Sequence, residues 1–139
     1  MIGIDTNVLV RYLAQDDPAQ TKIATEFIEN QCSEDAPVFI NHIVLCETMW
    51  VLGRLYDVTK PLMLKIIEKI LNTEQFEIEQ IEVVWKAFQE FKKKNKVDFA
   101  DCLLSQINMS NHCKETVTFD KSAAKTSGYR LLYSGYPKI

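Results

Sequence analysis

Asp5, Glu47, Asp101 and Asp120 are the residues whose types and settings could act together on a substrate. Asp5 ends the apolar run Met1-Ile2-Gly3-Ile4 and is followed by Thr6 and Asn7, polar groups that open an otherwise apolar helical pattern. An aspartate there is also a good helix N-cap, and the two readings carry similar weight. Glu47 stands among Ile43, Val44, Leu45, Cys46, Met49, Trp50, Val51 and Leu52, which cover most directions around a helix axis. A carboxylate buried there needs a cation; Arg54, which projects near it at about 100° per residue, would serve as well as a metal. Asp98 and Asp101 are helix neighbours at a spacing of three, where like charges repel unless solvated or bridged by a cation. Asp98 reads more simply as a cap or first-turn acid. Asp120 follows the expected strand Thr116-Val117-Thr118-Phe119. Alone it would be a turn residue, but as a second strand-end acid it faces the same crevice as Asp5.

Oxygen donors drawn from several carboxylates suit Mg²⁺ or Mn²⁺, hard cations that keep waters and bind phosphate oxygens, better than zinc. Such a metal lowers the pKa of a bound water, holds a scissile phosphate and neutralises developing charge. The four acids are therefore expected to be both metal ligands and catalytic groups.

Alternating strand and helix patterns must position them. Met1 to Ile4 predicts a short buried strand, followed by a helix with Val8, Leu9, Tyr12 and Leu13 on one face. Asp17 and Pro18 mark the next helix start, with Ala19, Ile23, Phe27 and Ile28 as its apolar face. Pro37 to Ile40 predicts a second strand, Ile43 to Tyr56 a helix apolar nearly all round, and Leu62 to Leu71 an amphipathic helix. A strand near Phe76 to Ile78 precedes a helix through Ile81, Val84, Trp85, Phe88 and Phe91, which the basic loop Lys92 to Lys96 closes. Asp98 to Asn111 has helical spacing, with Asp98, Asp101, Ser105 and Asn108 on one side and Phe99, Leu103, Leu104 and Ile107 opposite. Strands are expected at Glu115 to Phe119 and Tyr129 to Leu132. This alternation predicts an α/β fold: a parallel sheet of about five strands flanked by helices in three layers. In such folds sites lie beyond the carboxyl ends of the strands.

The 139 residues fit one domain, 1–139. A formal charge of -3 argues at first against a nucleic-acid partner. Removing the four site acids from the 19 acidic residues leaves 15, against 16 basic ones, so the remainder is not repulsive. Cys32, Cys46, Cys102 and Cys113 are widely spaced and predict reduced core thiols. The apolar start has neither a basic region nor the length of a signal or membrane segment, so no membrane association and a cytoplasmic location are expected.

The segment Asp5-Thr6-Asn7-Val8-Leu9-Val10-Arg11-Tyr12-Leu13, the acid in the second long apolar helix, Asp98-Phe99-Ala100-Asp101 and Thr118-Phe119-Asp120 together resemble the PIN-domain nucleases, and within them the VapC toxins of toxin-antitoxin pairs. The resemblance spans nearly the whole chain, including Asp16-Asp17-Pro18 and the ending through Gly128-Tyr129. It implies a three-layer PIN-like domain and an RNA-cutting enzyme dependent on Mg²⁺ or Mn²⁺. It matches the family's acids to Asp5, Glu47, Asp101 and Asp120, and its supporting polar positions to Thr6, Asn7 and Thr118, with Asp98 as an auxiliary acid. It further implies a homodimer restrained by a small cognate antitoxin. Asn41-His42 and Cys102 depart from the usual pattern and bear on substrate preference rather than catalysis. Arg11, Arg54 and Lys121 are candidate RNA contacts among scattered cations.

Other functions remain open from the residues. A haloacid-dehalogenase-like phosphatase also uses an aspartate after the first strand and magnesium, but wants a second acid at the position of Asn7. A catalytically silent RNA-binding or receiver-like module would use the acids only for docking or regulation. Cysteine chemistry is poorer, because His42 and His112 have no orienting partner evident in the sequence.

Overall fold

Three brief apolar runs become parallel strands: β1 (Ile2–Gly3), β2 (Val38–Ile40) and β3 (Phe76–Ile78), hydrogen-bonded in that order. Ile2 pairs with Val38, and Val38 with Phe76. The structure, a computed structural model, describes residues 1–133, so the last residues of the expected 1–139 domain lie outside the described part. The chain forms two compact units, Met1–Glu79 and Gln80–Ile139.

Parallel strands require long crossovers. In the first unit α1 (Thr6–Ala14) and α2 (Pro18–Glu26) join β1 to β2, while α3 (His42–Leu55) and α4 (Lys60–Leu71) join β2 to β3. Side-chain capping starts three of these helices. The carboxylates of Asp5 and Asp17 accept from the amides of Val8 and Gln20, both at 3.1 Å, and Asn41 Oδ1 accepts from Val44 N at 2.9 Å. Arg11 then ties the α1–α2 turn to the end of α3, with Nε donating to Gln20 at 2.7 Å and Nη1 to Asp16 and the Tyr56 hydroxyl. Tyr56 in turn donates to Asp16 Oδ2 at 2.7 Å, and this bond above all holds the Asp16 carboxyl below its ordinary range. Leu9, Ile28, Val38, Ile40, Leu45, Leu52, Ile67 and Ile70 form the buried interior of this unit.

The second unit contains α5 (Ile81–Lys93), α6 (Phe99–Ser110) and the parallel pair β4 (Thr116–Thr118) and β5 (Tyr129–Leu131). Phe91 of α5 meets Phe99 of α6 edge to face at 5.9 Å between ring centroids. Ser105 and Asn108, predicted on the polar side of α6, instead face the strand segments. Ser105 is buried and donates to the Ser127 carbonyl at 2.8 Å, and Asn108 donates to Thr116 Oγ1 at 2.8 Å. Their hydrogen bonds make the inward polar face affordable, and Leu104 is left exposed.

Among the described residues five strands occur, as expected, but as sets of three and two rather than one hydrogen-bonded sheet. Strands this short carry few ladder bonds each. β1 is not buried: Ile2 is 60% exposed, and β1 pairs only with β2 among the described residues. α3 is not enclosed all round either. Its Val44, Leu45, Thr48, Met49 and Leu52 arc is buried, whereas Ile43, Trp50 and Leu55 are exposed. Ile28, in the π turn Phe27–Gln31 that follows α2, is buried as expected, but on α2 itself Ala24 is buried and Ile23 exposed. Lys92 and Lys93 belong to the last turn of α5, where cations complement the helix dipole, so the basic loop begins at Lys94. Cys32 and Cys102 are core thiols as expected, while Cys46 is half-buried and Cys113 exposed.

Gly128 sits at φ +87°, and a Cβ there would stand 2.6 Å from Ser105 Oγ. Gly128→Ala is expected to cost at least about 2 kcal/mol in urea unfolding, from left-handed backbone strain added to a clash. Combining it with Ser105→Ala should recover only the clash component.

Candidate active site

The carboxyl ends of β1, β2 and β3 lead to Asp5, to Asn41-His42 and to Glu79. Asp5 is exposed, and capping occupies only its Oδ1; among the described residues Oδ2 has no hydrogen-bond partner. Thr6, the first residue of α1, donates from Oγ1 to Glu47 Oε1 at 3.2 Å, bringing the start of α1 against the middle of α3. Asn7 is exposed beside them. Glu47 is exposed rather than enclosed. It has no ion pair with Arg54, whose guanidinium lies over the Trp50 ring instead. The alternative of an internal Glu47–Arg54 pair is thereby removed.

His42 and Glu79 form a clasp that the sequence did not reveal. Glu79 Oε1 accepts from His42 N at 2.9 Å, and the Glu79 carbonyl accepts from His42 Nε2 at 2.7 Å. His42 thus has the orienting partner it lacked in the sequence. Glu79 follows its strand directly, the same position relative to a strand that singled out Asp5 and Asp120, and that signal could have found it.

In the second unit Asp98 and Asp120 lie near enough to Asp101 for their charges to act on it. Asp101 lies in the first turn of α6, half-buried, and its carboxyl is pushed above the ordinary range, first by burial and then by the charges of Asp98 and Asp120. Asp98 takes the N-cap position of α6 without a side-chain capping bond. Asp120 is held in its turn by Thr118, whose Oγ1 accepts from Asp120 N at 3.0 Å, while Asp120 Oδ1 accepts from Ser122 N at 2.8 Å. The hydroxyl of Tyr129 donates to the main-chain carbonyl of Asp101 at 2.9 Å. Burial raises the pKa of that hydroxyl, with the Asp101 charge adding to it.

Among the proposed RNA contacts, Arg11 is occupied by Gln20, Asp16 and Tyr56, while Arg54 and Lys121 are exposed. The donor chemistry fits a hard cation: the acids offer oxygen only, and the crowding that raises Asp101 is what a cation relieves. Among the described residues no three acid, histidine or cysteine side chains close into a cage. Mg²⁺ does not require one, since it keeps several waters and is commonly held by one or two carboxylates.

With this geometry in place, the chain can be assigned: it belongs to the PIN domain family, whose model matches residues 2–129. It is similar to the VapC ribonuclease of Aquifex aeolicus (strain VF5), with 25% identity over 122 residues covering 88% of this chain and 89% of that protein.

A carboxyl held above its ordinary pKa destabilises the fold when ionised. Asp101→Asn should therefore raise the melting temperature of metal-free protein at neutral pH. The gain should shrink as pH falls through the raised pKa of Asp101 and vanish below the ordinary carboxylate range, where both proteins are neutral at this position. Calorimetry across that range checks the sign.

Proposed function

We propose that this protein is a VapC-type endoribonuclease, the toxin of a toxin-antitoxin pair, hydrolysing RNA in a manner dependent on Mg²⁺ or Mn²⁺. The observation that carries this reading is the half-buried Asp101 carboxyl, raised by its burial and by the nearby charges of Asp98 and Asp120, in a PIN-domain chain similar to a VapC ribonuclease. Asp5, Glu47, Asp101 and Asp120 are the proposed ligands and catalytic acids of one PIN domain. Thr6, Asn7, Asp98 and Thr118 support them, and Arg54 and Lys121 meet the RNA backbone.

The chain's own groups prepare this chemistry by fixing half of each carboxylate. Asp5 and Asp120 each spend Oδ1 on backbone amides, and Glu47 spends Oε1 on Thr6, which orients the remaining oxygen of each for a ligand. Tyr129 and the turn at Gly128 hold the α6 backbone that carries Asp101. When bound, a divalent cation supplies Lewis acidity toward a phosphate and makes a neighbouring water more acidic. Asn7 in place of a second acid disfavours the phosphatase alternative.

RNA as substrate goes with action in the cytoplasm, and no helix among the described residues is long and apolar enough to cross a membrane. A small antitoxin and a second copy of the chain are the proposed partners. Phe88, Phe91, Ile67 and Ile70 are buried within the chain, while Leu55, 69% exposed, and Leu62 remain open for a contact with a second copy.

Purified protein should cleave RNA with Mg²⁺ or Mn²⁺, stop with chelator, and be indifferent to thiol blocking. Asp5→Asn and Asp101→Asn should each reduce cleavage below detection while the protein stays folded. Products should carry 5'-phosphate and 3'-hydroxyl ends; 2',3'-cyclic phosphate ends, or full activity of Asp5→Asn, would show the mechanism to be wrong. Light scattering at high micromolar concentration should give the mass of a dimer, and Leu55→Lys should lower it toward that of a monomer.

A further inference from the structure

One stripe of α3 is left open to solvent. Ile43, Glu47, Trp50 and Arg54 follow at steps of four, three and four, which places them on one side of the helix, and all four are exposed. Trp50 is 59% exposed, and the Arg54 guanidinium lies over its ring at 5.9 Å from the centroid. Among the described residues Arg54 has no carboxylate partner. A large ring kept in water beside an unpaired cation, one helical turn from a proposed site acid, calls for a ligand that satisfies both groups.

We propose that Trp50 and Arg54 form a stacking platform for single-stranded RNA, the indole ring taking the face of a base and the guanidinium the adjoining phosphate. The proposal rests on the ribonuclease reading and extends it by naming how a nucleotide beside the cleavage point is held. Every base has a π face, so such a platform binds single strands with little regard to sequence. A duplex, whose bases are already stacked, cannot use it. A protein surface closing over the same stripe would have to bury the charges of both Glu47 and Arg54, a desolvation cost that a nucleotide avoids for Arg54 by supplying an anion.

The test uses the full chain with Mg²⁺ and an unstructured oligoribonucleotide, with light scattering and thermal melting run on every variant. Trp50→Ala should raise KM about tenfold, the order of effect that loss of one base-stacking contact produces, with kcat within about twofold. Trp50→Phe should recover most of the loss. Arg54→Gln should raise KM and flatten its salt dependence. In a Trp85→Phe protein, where Trp50 is the remaining tryptophan, single-stranded RNA should quench fluorescence and duplex RNA of the same sequence should not. Wild-type KM in Trp50→Ala, or an unquenched Trp50, would overturn the platform while leaving the ribonuclease reading intact. So would a Trp50→Ala protein that loses only its oligomeric state, which would assign the stripe to a second copy of the chain. A wild-type protein that neither binds nor cleaves RNA would end both readings at once.

Discussion

Parallel pairing is the constraint from which the first unit follows. Because β1, β2 and β3 run the same way, their carboxyl ends lie at one edge, and the residues just beyond them, Asp5, His42 and Glu79, are delivered there by the backbone alone. Each strand has only two or three residues, so the helices must supply most of the buried surface. The Arg11–Asp16–Tyr56 network and the His42–Glu79 clasp then fix how those helices leave the sheet edge. Strand direction decides where the polar groups go, and side-chain hydrogen bonds decide how firmly they are held.

Capping and site chemistry are not competing explanations for the strand-end acids. A carboxylate has two oxygens with several lone pairs, and an N-cap uses one of them. Asp5 and Asp120 both give Oδ1 to backbone amides. The bond that stabilises the turn also immobilises the side chain, so less conformational freedom is lost when the second oxygen takes a ligand. Asp101 differs. Crowded by burial, Asp98 and Asp120, it stores electrostatic repulsion that a cation would release. The second unit holds α6 in place against that repulsion through the Tyr129 hydroxyl on the Asp101 carbonyl, the Ser105 hydroxyl on the Ser127 carbonyl and the close approach of Gly128 to Ser105.

The helical pattern of α3 shows how composition can mislead about burial. An apolar helix with one glutamate predicts enclosure and a compensating ion pair, but packing against α1 and α4 needs only the arc through Val44, Leu45, Thr48, Met49 and Leu52. The remaining stripe faces solvent with Glu47 in it. Arg54 consequently has no buried charge to neutralise and rests on the exposed face of Trp50.

Much of the fold was legible in the sequence because it is dictated locally. Apolar runs set the strands, Asp17-Pro18 set the start of α2, and the acids after strands marked the candidate site at Asp5 and Asp120. Family membership was legible in the order and spacing of those same motifs. The sequence could not give which residues pair across long separations. It left open that Thr6 holds Glu47, that Glu79 orients His42, that Arg54 turns to Trp50, and that Ser105 and Asn108 face inward to the segments around β4 and β5. Periodicity reports which side chains share a face, but not which of two faces another element will cover. That choice belongs to the tertiary structure, because burial and hydrogen-bond partners arise only when residues distant in the chain are brought together.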